Sequence, residues 1–323
     1  MLMEPKVSIL IPVYKAQKYI EKCLCSVFGQ TYSNIEFILA DDASPDDSIT
    51  IAIGVAKRFR RERYLTIIKN DVNKGIAYTR NSLLNHASGD YIYFVDSDDF
   101  IEKNAIEIFV KYAVQDNADI VRCNYFRHFN GVSNAINRMP NEYNEDQLGY
   151  CLSNISGMHA LWLLFIKRKF IVDYQLQFAE NINCLEDYLM SVKLYYYAQR
   201  IYDINIPLYH YRTDNNNSIT HTNVYFHDNA IRAVSEIDHF INEKGLSEKY
   251  RSQILKIKFL SKQSYLLNKD IRDINKYIYI FPESNSSYKY FNYNWKQKCL
   301  LYLAEHHHIT ALKLACKLSI ILS

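Results

Sequence analysis

Two aspartates one residue apart, Asp96 and Asp98, directly follow a short apolar stretch at residues 91–95. Side chains two positions apart on an extended chain point the same way, so both carboxylates can reach one ligand. Mg²⁺ and Mn²⁺ prefer oxygen ligands and are commonly held by one or two carboxylates together with substrate phosphates. The spacing therefore predicts a cation site for a phosphate-bearing substrate. The alternative is a capped acidic turn, which is frequent in proteins.

A second acidic pair, Asp41 and Asp42, ends another apolar stretch at residues 35–40. The carboxyl ends of parallel strands meet at one edge of a sheet, and ligands bind in the crevice beyond that edge. If both stretches are parallel strands, both acidic pairs face the same crevice. The second pair therefore favours a ligand site over an isolated turn at Asp96 and Asp98.

The first 125 residues alternate strand signals with helix signals. Between the first two strands, apolar residues at helical spacing mark one helix face: Ile20, Cys23, Leu24, Val27 and Phe28. Further helices are predicted over residues 46–59 and 76–87, and strands over residues 7–11, 35–40, 65–68, 91–95 and 119–123. This alternation predicts the α/β class, with a mostly parallel sheet covered by helices on both faces.

The later residues give weaker signals. Residues 126–155 are polar and rich in asparagine, so we expect a loop insertion there. A helix over residues 186–198 and short strands over residues 200–204 and 208–212 are predicted next. Beyond about residue 220 the pattern becomes helical, which predicts a C-terminal helical appendage.

The composition restricts the kind of phosphate site. Only 8 of the 323 residues are glycine, against a usual frequency of about 7%. No two glycines are near neighbours, which excludes a Gly-rich phosphate-binding loop. A nucleotide's phosphates must then be neutralised by other means, such as a bound cation.

Charge and cysteine content exclude further classes. The formal net charge of +3 gives no support for nucleic-acid binding. The 7 cysteines include no C-x-x-C pair, so we do not expect a zinc site or a disulfide framework. We expect a reducing, cytoplasmic compartment instead. No apolar run reaches the length of about 18 residues that a spanning helix needs.

Several short blocks in a fixed order resemble the family 2 glycosyltransferases of the GT-A fold. The resemblance covers roughly residues 6–220 and is sharpest before residue 125. The blocks are residues 7–14 (VSILIPVY), 26–32 (SVFGQTY), 38–44 (ILADDAS), 73–75 (NKG), 80–81 (RN) and 87–99 (ASGDYIYFVDSDD). Their spacing together is far more specific than any one block.

The resemblance implies a metal-dependent inverting glycosyltransferase of bacterial cell-surface polysaccharide synthesis. It would move a sugar from a nucleotide diphosphate donor, expected to be UDP-linked, to a hydroxyl of a polysaccharide or lipid-linked oligosaccharide. The implied GT-A catalytic domain covers residues 1–220, with a nucleotide-binding half at about 1–125 and an acceptor half at about 126–220. Residues 221–323 form the helical region.

The resemblance also implies roles for residues around the donor. Pro12 and Tyr14 would line the base pocket, and Asp42 would hydrogen-bond the uracil or its ribose. Asp96 would lie near the ribose and the metal, and Asp98 would ligate the Mn²⁺ or Mg²⁺ that bridges the diphosphate. Lys15 departs from the family pattern, in which an asparagine usually follows the tyrosine.

Four further residues that resemble the family pattern have roles with two interpretations. Arg80 either contacts the nucleotide or forms a salt bridge to an acid such as Asp96 or Asp98. The pair Glu186 and Asp187 either places a general base, Asp187, beside a positioning carboxylate, or favours a helix N-terminus. His210 is either a metal or diphosphate contact or a structural histidine.

The C-terminal segment at residues 309–322 is apolar with a polar stripe of Thr310, Lys313 and Lys317. It either lies on the cytoplasmic membrane face or packs on the core or on a second subunit. Two rival functions remain at this level, a nucleotidyltransferase on a related fold and a non-catalytic sugar-nucleotide-binding scaffold. The first usually carries a Gly-rich loop after strand one, which residues 12–17 lack.

Overall fold

The computed structural model describes residues 4–136, 146–153, 160–213 and 224–321. The chain divides into two compact units, Met1–Ser218 and Ile219–Ser323. The first unit contains the sheet and the second is helical. The expected domain boundary at residue 220 lies outside the described residues and stays a prediction.

One mixed sheet forms the centre of the first unit. Its strand order is β3-β2-β1-β4-β8-β6-β9-β5, with β7 paired to the outer part of β6. The strands are β1 (Val7–Val13), β2 (Ile35–Asp41), β3 (Leu65–Lys69), β4 (Tyr91–Phe94), β5 (Phe100–Ile101), β6 (Ile120–Phe129), β7 (Val132–Ile136), β8 (Leu164–Lys167) and β9 (Ile201–Arg212).

Helices connect the strands and form the second unit. Those of the first unit are α1 (Ile20–Phe28), α2 (Ser48–Arg58), α3 (Ile76–His86), α4 (Ala105–Gln115), α5 (Gln147–Ser153), α6 (Arg168–Asp173) and α7 (Glu186–Tyr197). Those of the second unit are α8 (Val224–Glu243), α9 (Arg251–Lys262), α10 (Ser264–Leu267), α11 (Ile274–Tyr279), α12 (Trp295–Glu305) and α13 (Ile309–Ile321).

The parallel half of the sheet carries the predicted strand ends. Strands β3, β2, β1 and β4 run parallel, and every residue of β1 is buried, as a strand covered on both faces must be. The predicted apolar face of α1 is confirmed, since its five residues are the buried ones. The mostly parallel α/β fold is therefore confirmed.

The loop predicted at residues 126–155 is wrong for the described parts of that range, residues 126–136 and 146–153. Strand β6 continues to Phe129, turns through Asn130 and Gly131, and pairs with β7. Both turn residues are left-handed, with φ of 49° and 79°. An Asn-Gly dipeptide favours this tight hairpin turn, and the polar residues around it concealed the strands. Helix α5 occupies the end of the same stretch.

The two short strands predicted at residues 200–212 are one strand. Strand β9 is continuous from Ile201 to Arg212 and parallel to β6, but the pairing shifts register on either side of Asn124. The shift lies opposite Pro207, which has no N–H to donate to a neighbouring strand. A single irregular strand therefore produced two separate sequence signals.

The second unit has its own hydrophobic core. Buried residues from α9 to α13 form one cluster, including Phe259, Tyr277, Leu301 and Leu312. Helix α13 packs on this cluster through Leu312 and Cys316, so one of the two predicted interpretations, packing on protein, holds for that face. None of the described helices is long and apolar enough to cross a membrane.

Candidate active site

The carboxyl ends of β2 and β4 lie on either side of β1. Strand β2 ends at Asp41 beside Val13, the last residue of β1, whereas β4 ends at Phe94 beside Leu10. The Asp42 amide donates to the Val13 carbonyl at 3.0 Å, and the Val95 amide donates to the Leu10 carbonyl at 3.0 Å. Both acidic pairs therefore flank the end of β1, as predicted. Pro12 is buried within β1, and Tyr14, just beyond it, is exposed.

Asp42 is buried and fixes the turn that starts α3. Its Oδ1 accepts from the side-chain amide of Asn70 and from the Lys74 amide, both at 2.8 Å, and its Oδ2 accepts from the Gly75 amide at 2.9 Å. Each carboxylate oxygen is thus held by the chain itself. A base-pocket role for Asp42 stays a prediction.

The turn requires glycine at position 75. Gly75 has φ of 88°, a conformation that side chains with Cβ rarely adopt. A Cβ there would also collide with the Asn183 side chain, whose Oδ1 accepts from the Ala77 amide at 3.3 Å. The segment before α7 therefore packs directly on the first turn of α3.

Arg80 on α3 joins the two acidic motifs that lie far apart in sequence. Its side chain is buried, and Nη2 lies 3.3 Å from Asp96 Oδ1. Its Nη1 pairs with Glu186 Oε1 at hydrogen-bond distance. The predicted salt bridge to Asp96 is confirmed, and the contact with Glu186 brings α7 to the strand ends.

Asn81, the next residue of α3, holds the loop that leads to α7. Its Oδ1 accepts from the Phe178 amide at 2.8 Å, and its Nδ2 donates to the Phe178 carbonyl at 3.0 Å. A buried amide that satisfies a backbone donor and acceptor at once fixes the loop as a β-strand partner would. Helix α3 thus positions both the loop and the helix that follows it.

Glu186 and Asp187 occupy the first turn of α7. Leu185 before them is left-handed, with φ of 59°, an unfavourable conformation for leucine that the surrounding contacts must maintain. Burial raises the pKa of Glu186 to about 7, with Arg80 opposing and Asp187 adding to the shift. Burial also raises the pKa of Asp187, again opposed by Arg80.

The three aspartates that follow β4 differ in how deeply they are buried. Asp96 and Asp98 are half-buried, whereas Asp99 is buried. Asp99 accepts from the Tyr209 hydroxyl at 2.8 Å and from the Arg212 amide at 2.7 Å. Burial, with Asp98 and Asp96 nearby, raises the pKa of Asp99 well above its usual range. Asp99 is therefore a structural acid, whereas Asp96 and Asp98 remain accessible to a ligand.

Tyr209 orients this segment from β9. Its hydroxyl donates to Asp99 and also accepts from the Asp96 amide at 3.2 Å. The ring is buried and stacks on Trp162 with centroids 4.4 Å apart. One phenol therefore fixes the backbone of Asp96 relative to the carboxylate of Asp99.

Asp96 and Asp98 fit a cation that also binds a substrate diphosphate. They offer hard oxygen ligands, and no cluster of three or more His, Cys, Asp or Glu side chains among the described residues can hold a metal by itself. Mg²⁺ and Mn²⁺ sites of this kind are completed by substrate phosphates and water. The donor set therefore suits a cation that binds together with a phosphate substrate.

The structure does not bring His210 to these carboxylates. Its Nε2 is bonded to Glu102 Oε1 and its Nδ1 to His128 Nε2, each at 2.8 Å. The ring also lies between Phe100 and Phe126, with centroids 4.2 and 4.7 Å away. Both ring nitrogens are engaged, so we correct the prediction and no longer place His210 among the metal ligands.

Three residues that shape the site had no predicted role. Asn81 lies inside one of the family-like blocks and Tyr209 inside a predicted strand, but their partners are 97 and 110 positions away. Asn183 has no local signal at all. Only knowledge of which loops meet at α3 could have identified these contacts.

Comparison with known proteins agrees with this geometry. A family profile described as glycosyl transferase family 2 matches residues 8–171. The chain is 26% identical to EpsH of Bacillus subtilis (strain 168), over 96% of this chain and 94% of that protein. It is 27% identical to the poly(ribitol-phosphate) beta-N-acetylglucosaminyltransferase TarS of Staphylococcus aureus, over 64% of this chain but 35% of TarS.

Solved structures show the same fold. The crystal structure of S. aureus TarS 1-349 has a TM-score of 0.67 at 19% identity, covering 98% of this chain and 92% of that one. Its complex with UDP-GlcNAc has a TM-score of 0.64, at 18% identity, covering 97% and 90%. The mannosyltransferase PcManGT of Pyrobaculum calidifontis, in complex with GDP-Man and Mn²⁺, has a TM-score of 0.54 at 14% identity, covering 99% and 87%.

Proposed function

This chain belongs to glycosyl transferase family 2, and from that premise we propose that it transfers a sugar from a UDP-linked donor, with inversion, to a hydroxyl of a polysaccharide or lipid-linked oligosaccharide. The reaction depends on Mn²⁺ or Mg²⁺. Family membership makes the chain a glycosyltransferase, so the nucleotidyltransferase and scaffold alternatives are set aside. The donor, the metal dependence and the acceptor are our proposals.

One observation carries the proposal. Arg80 contacts Asp96, which follows β4, and Glu186, which begins α7. These two acids lie 90 positions apart in the sequence. A glycosyl transfer needs acids in two places, one for the leaving diphosphate and one for the attacking hydroxyl. The contacts of Arg80 with Asp96 and Glu186 support the proposal that both acids serve one site.

Asp96 and Asp98 are assigned to the leaving-group side. These two carboxylates would hold the divalent cation, which when bound stabilises the negative charge that develops on the departing nucleoside diphosphate. The base and ribose would lie over the end of β1, against Pro12 and Tyr14 and near Asp42. Support comes from the positions of β2 and β4, which pair with β1 on its two sides.

Asp187 is assigned as the general base. The acceptor oxygen forms its bond to the anomeric carbon as the bond from that carbon to the phosphate oxygen breaks, and the hydroxyl proton passes to the Asp187 carboxylate. Attack from the side opposite the diphosphate inverts the configuration. The raised pKa of Asp187 supports this role, because a base works best when its pKa approaches the working pH.

Arg80 and Glu186 are assigned as positioning residues. The Arg80 guanidinium is already bonded to two carboxylates, so we propose that it orients them instead of contacting the nucleotide. Glu186 shares the Arg80 contact. Burial raises the pKa of Glu186, and the charge of the neighbouring Asp187 adds to that rise.

The relatives support the donor and the metal. TarS is described as a beta-N-acetylglucosaminyltransferase acting on poly(ribitol-phosphate) and is known in complex with UDP-GlcNAc. PcManGT is known with GDP-Man and Mn²⁺. These descriptions favour a UDP-sugar, a polymeric acceptor and a divalent cation for this chain.

A donor screen tests the proposal. The purified chain is incubated with Mn²⁺ and a panel of UDP-, GDP- and other nucleotide-linked sugars, with and without saccharide acceptors, and release of free nucleoside diphosphate is measured. We expect release from a UDP-sugar, stimulated by an acceptor and abolished by chelation of the metal. Anomeric NMR of the product is expected to show inversion.

The outcomes separate the parts of the proposal. Turnover of a GDP-sugar alone would contradict the UDP assignment, and full activity after chelation would contradict the metal. Absence of turnover with every donor and acceptor would refute the transfer itself. Asp173→Asn, in an exposed ion pair with Lys169, serves as a control acid variant that should retain activity.

A further inference from the structure

Helix α12 presents aromatic residues outward. Trp295, Cys299 and Tyr302 follow one another at helical spacing and are exposed, with 75% of Trp295 accessible. The opposite face of α12 is buried in the core of the second unit through Leu300, Leu301 and Ala304. A tryptophan this exposed is unusual, because its large ring is normally covered.

Helix α13, the next helix, also exposes aliphatic residues. Leu314 and Leu318 are 60% and 48% exposed, and they lie one turn apart. Helices α12 and α13 are joined by a tight turn in which the His308 amide donates to the Leu303 carbonyl at 2.9 Å. Both helices bury their inner faces in one core and pack against each other.

The charge on this surface has one sign. The lysines of the two helices are Lys296, Lys298, Lys313 and Lys317, and the one acid between residues 294 and 318 is Glu305. Glu305 is already bonded to Lys289 at 2.7 Å and to the Tyr288 hydroxyl at 3.1 Å. The lysines therefore lie among exposed apolar side chains with no available local acid.

We propose that this outward surface, the α12–α13 face, docks on an anionic lipid bilayer. It is defined by Trp295, Tyr302, Leu314 and Leu318 with the four lysines. Tryptophan and tyrosine favour the membrane interface, leucines enter the acyl boundary, and lysines interact with acidic headgroups. A self-paired dimer through the same face is disfavoured because it would bring lysines of two copies together.

Vesicle flotation tests the docking directly, without any measurement of transferase activity. The full chain is mixed with vesicles of phosphatidylglycerol and phosphatidylethanolamine, or of phosphatidylcholine alone. We expect flotation with the first and not with the second, and loss of flotation at high salt. Tryptophan emission should shift to the blue with the anionic vesicles, and Trp295→Phe should remove that shift.

Paired variants identify the surface. Lys313→Glu with Lys317→Glu should weaken binding by at least about 25-fold, because each lysine near an anionic leaflet contributes about five-fold and each added glutamate is repelled. Lys57→Glu with Lys111→Glu changes the net charge equally on exposed positions of the first unit and should leave binding unchanged. Leu314→Ser with Leu318→Ser should weaken binding at unchanged charge. Circular dichroism confirms that each variant is folded.

Three outcomes would overturn the docking proposal. The first is equal flotation with anionic and neutral vesicles, and the second is equal loss of binding in both lysine pairs. The third is a stable dimer without lipid in which Trp295 emission is already blue-shifted. The readouts are binding and fluorescence, so failure here leaves the proposed transfer reaction untouched.

Discussion

At the scale of single residues, the site depends on a few side chains that each make two contacts. Arg80 links Asp96 to Glu186, Asn81 holds both polar groups of Phe178, and Tyr209 serves Asp96 and Asp99. A buried polar group that loses one partner costs about 1–3 kcal/mol. Such residues are therefore sensitive positions even though none of them is assigned to bond making.

Tyr209→Phe tests the orientation of the acidic segment. The change removes the donor to Asp99 and the acceptor for the Asp96 amide but retains the ring that stacks on Trp162. We expect a loss of about 1–3 kcal/mol in the free energy of unfolding. We also expect higher KM values for the donor and for Mn²⁺, with a smaller change in kcat.

Steady-state kinetics at varied donor and Mn²⁺, with urea unfolding, check this prediction. Tyr174→Phe is the control, because Tyr174 is exposed and stacks on Tyr197. A Tyr209→Phe enzyme that is destabilised but keeps both KM values would show that the hydroxyl is structural and does not orient Asp96.

At the scale of elements, Glu36 joins three strands at the end of the sheet opposite the site. Its carboxylate accepts from Ser8 of β1, from the Ser88 amide and hydroxyl before β4, and from Lys6. Burial by itself would raise the pKa of Glu36, but the bonds from Lys6, Ser8 and Ser88 lower it to about 2.

The lowered pKa of Glu36 makes stability depend on pH. The folded state favours the ionised form, so the contribution of Glu36 is complete above the ordinary pKa of 4.5 and is lost as pH falls toward about 2. Urea unfolding at pH values across this range should show a smaller acid-induced loss of stability in Glu36→Gln than in the wild type. Glu21→Gln, in an exposed pair with Arg58, should behave like the wild type. Parallel pH curves for wild type and Glu36→Gln would contradict the assignment.

Gly89 tests the packing at the same end of the sheet, and Gly54, inside α2, serves as its control. A Cβ on Gly89 would lie 2.7 Å from both the amide nitrogen and Oγ of Ser8, whereas a Cβ on Gly54 would meet nothing within 4 Å. Gly89→Ala should therefore destabilise the fold by about 1–3 kcal/mol. Gly54→Ala, inside α2, should stabilise it by about 0.5–1 kcal/mol. Thermal unfolding that shifts in the same direction for both would contradict this account of the strand ends.

The same elements show what local sequence could predict. The buried face of α1 follows from apolar spacing, and the position of the acids after β2 and β4 on either side of β1 agrees with the rules for parallel sheets. The hairpin through Asn130 and Gly131 was missed because the polar residues around it were given more weight than a specific turn signal. The contact of Arg80 with Glu186 and the contacts of His210 with Glu102 and His128 depend on long-range topology, which periodicity does not describe.

At the scale of the whole molecule, family membership agrees with an arrangement built from both halves of the sheet unit. The first acids come from the parallel strands, and Glu186 and Asp187 come from a helix 90 or more positions later. The second unit, with its separate core, carries the surface proposed to bind lipid. The predicted site roles rested on resemblance and stay predictions, and the structure shows that Asp96 and Glu186 both contact Arg80.

The central claim is that Asp98 serves the donor phosphates and Asp187 serves the acceptor hydroxyl. Calorimetric titration of UDP in the presence of Mn²⁺, paired with turnover of the donor found in the screen, tests this division most directly. Asp98→Ala should lose both Mn²⁺-dependent UDP binding and turnover. Asp187→Asn should bind UDP with near wild-type affinity and lose turnover by about 10²-fold or more. Wild-type UDP binding by Asp98→Ala, or wild-type turnover by Asp187→Asn, would contradict the account.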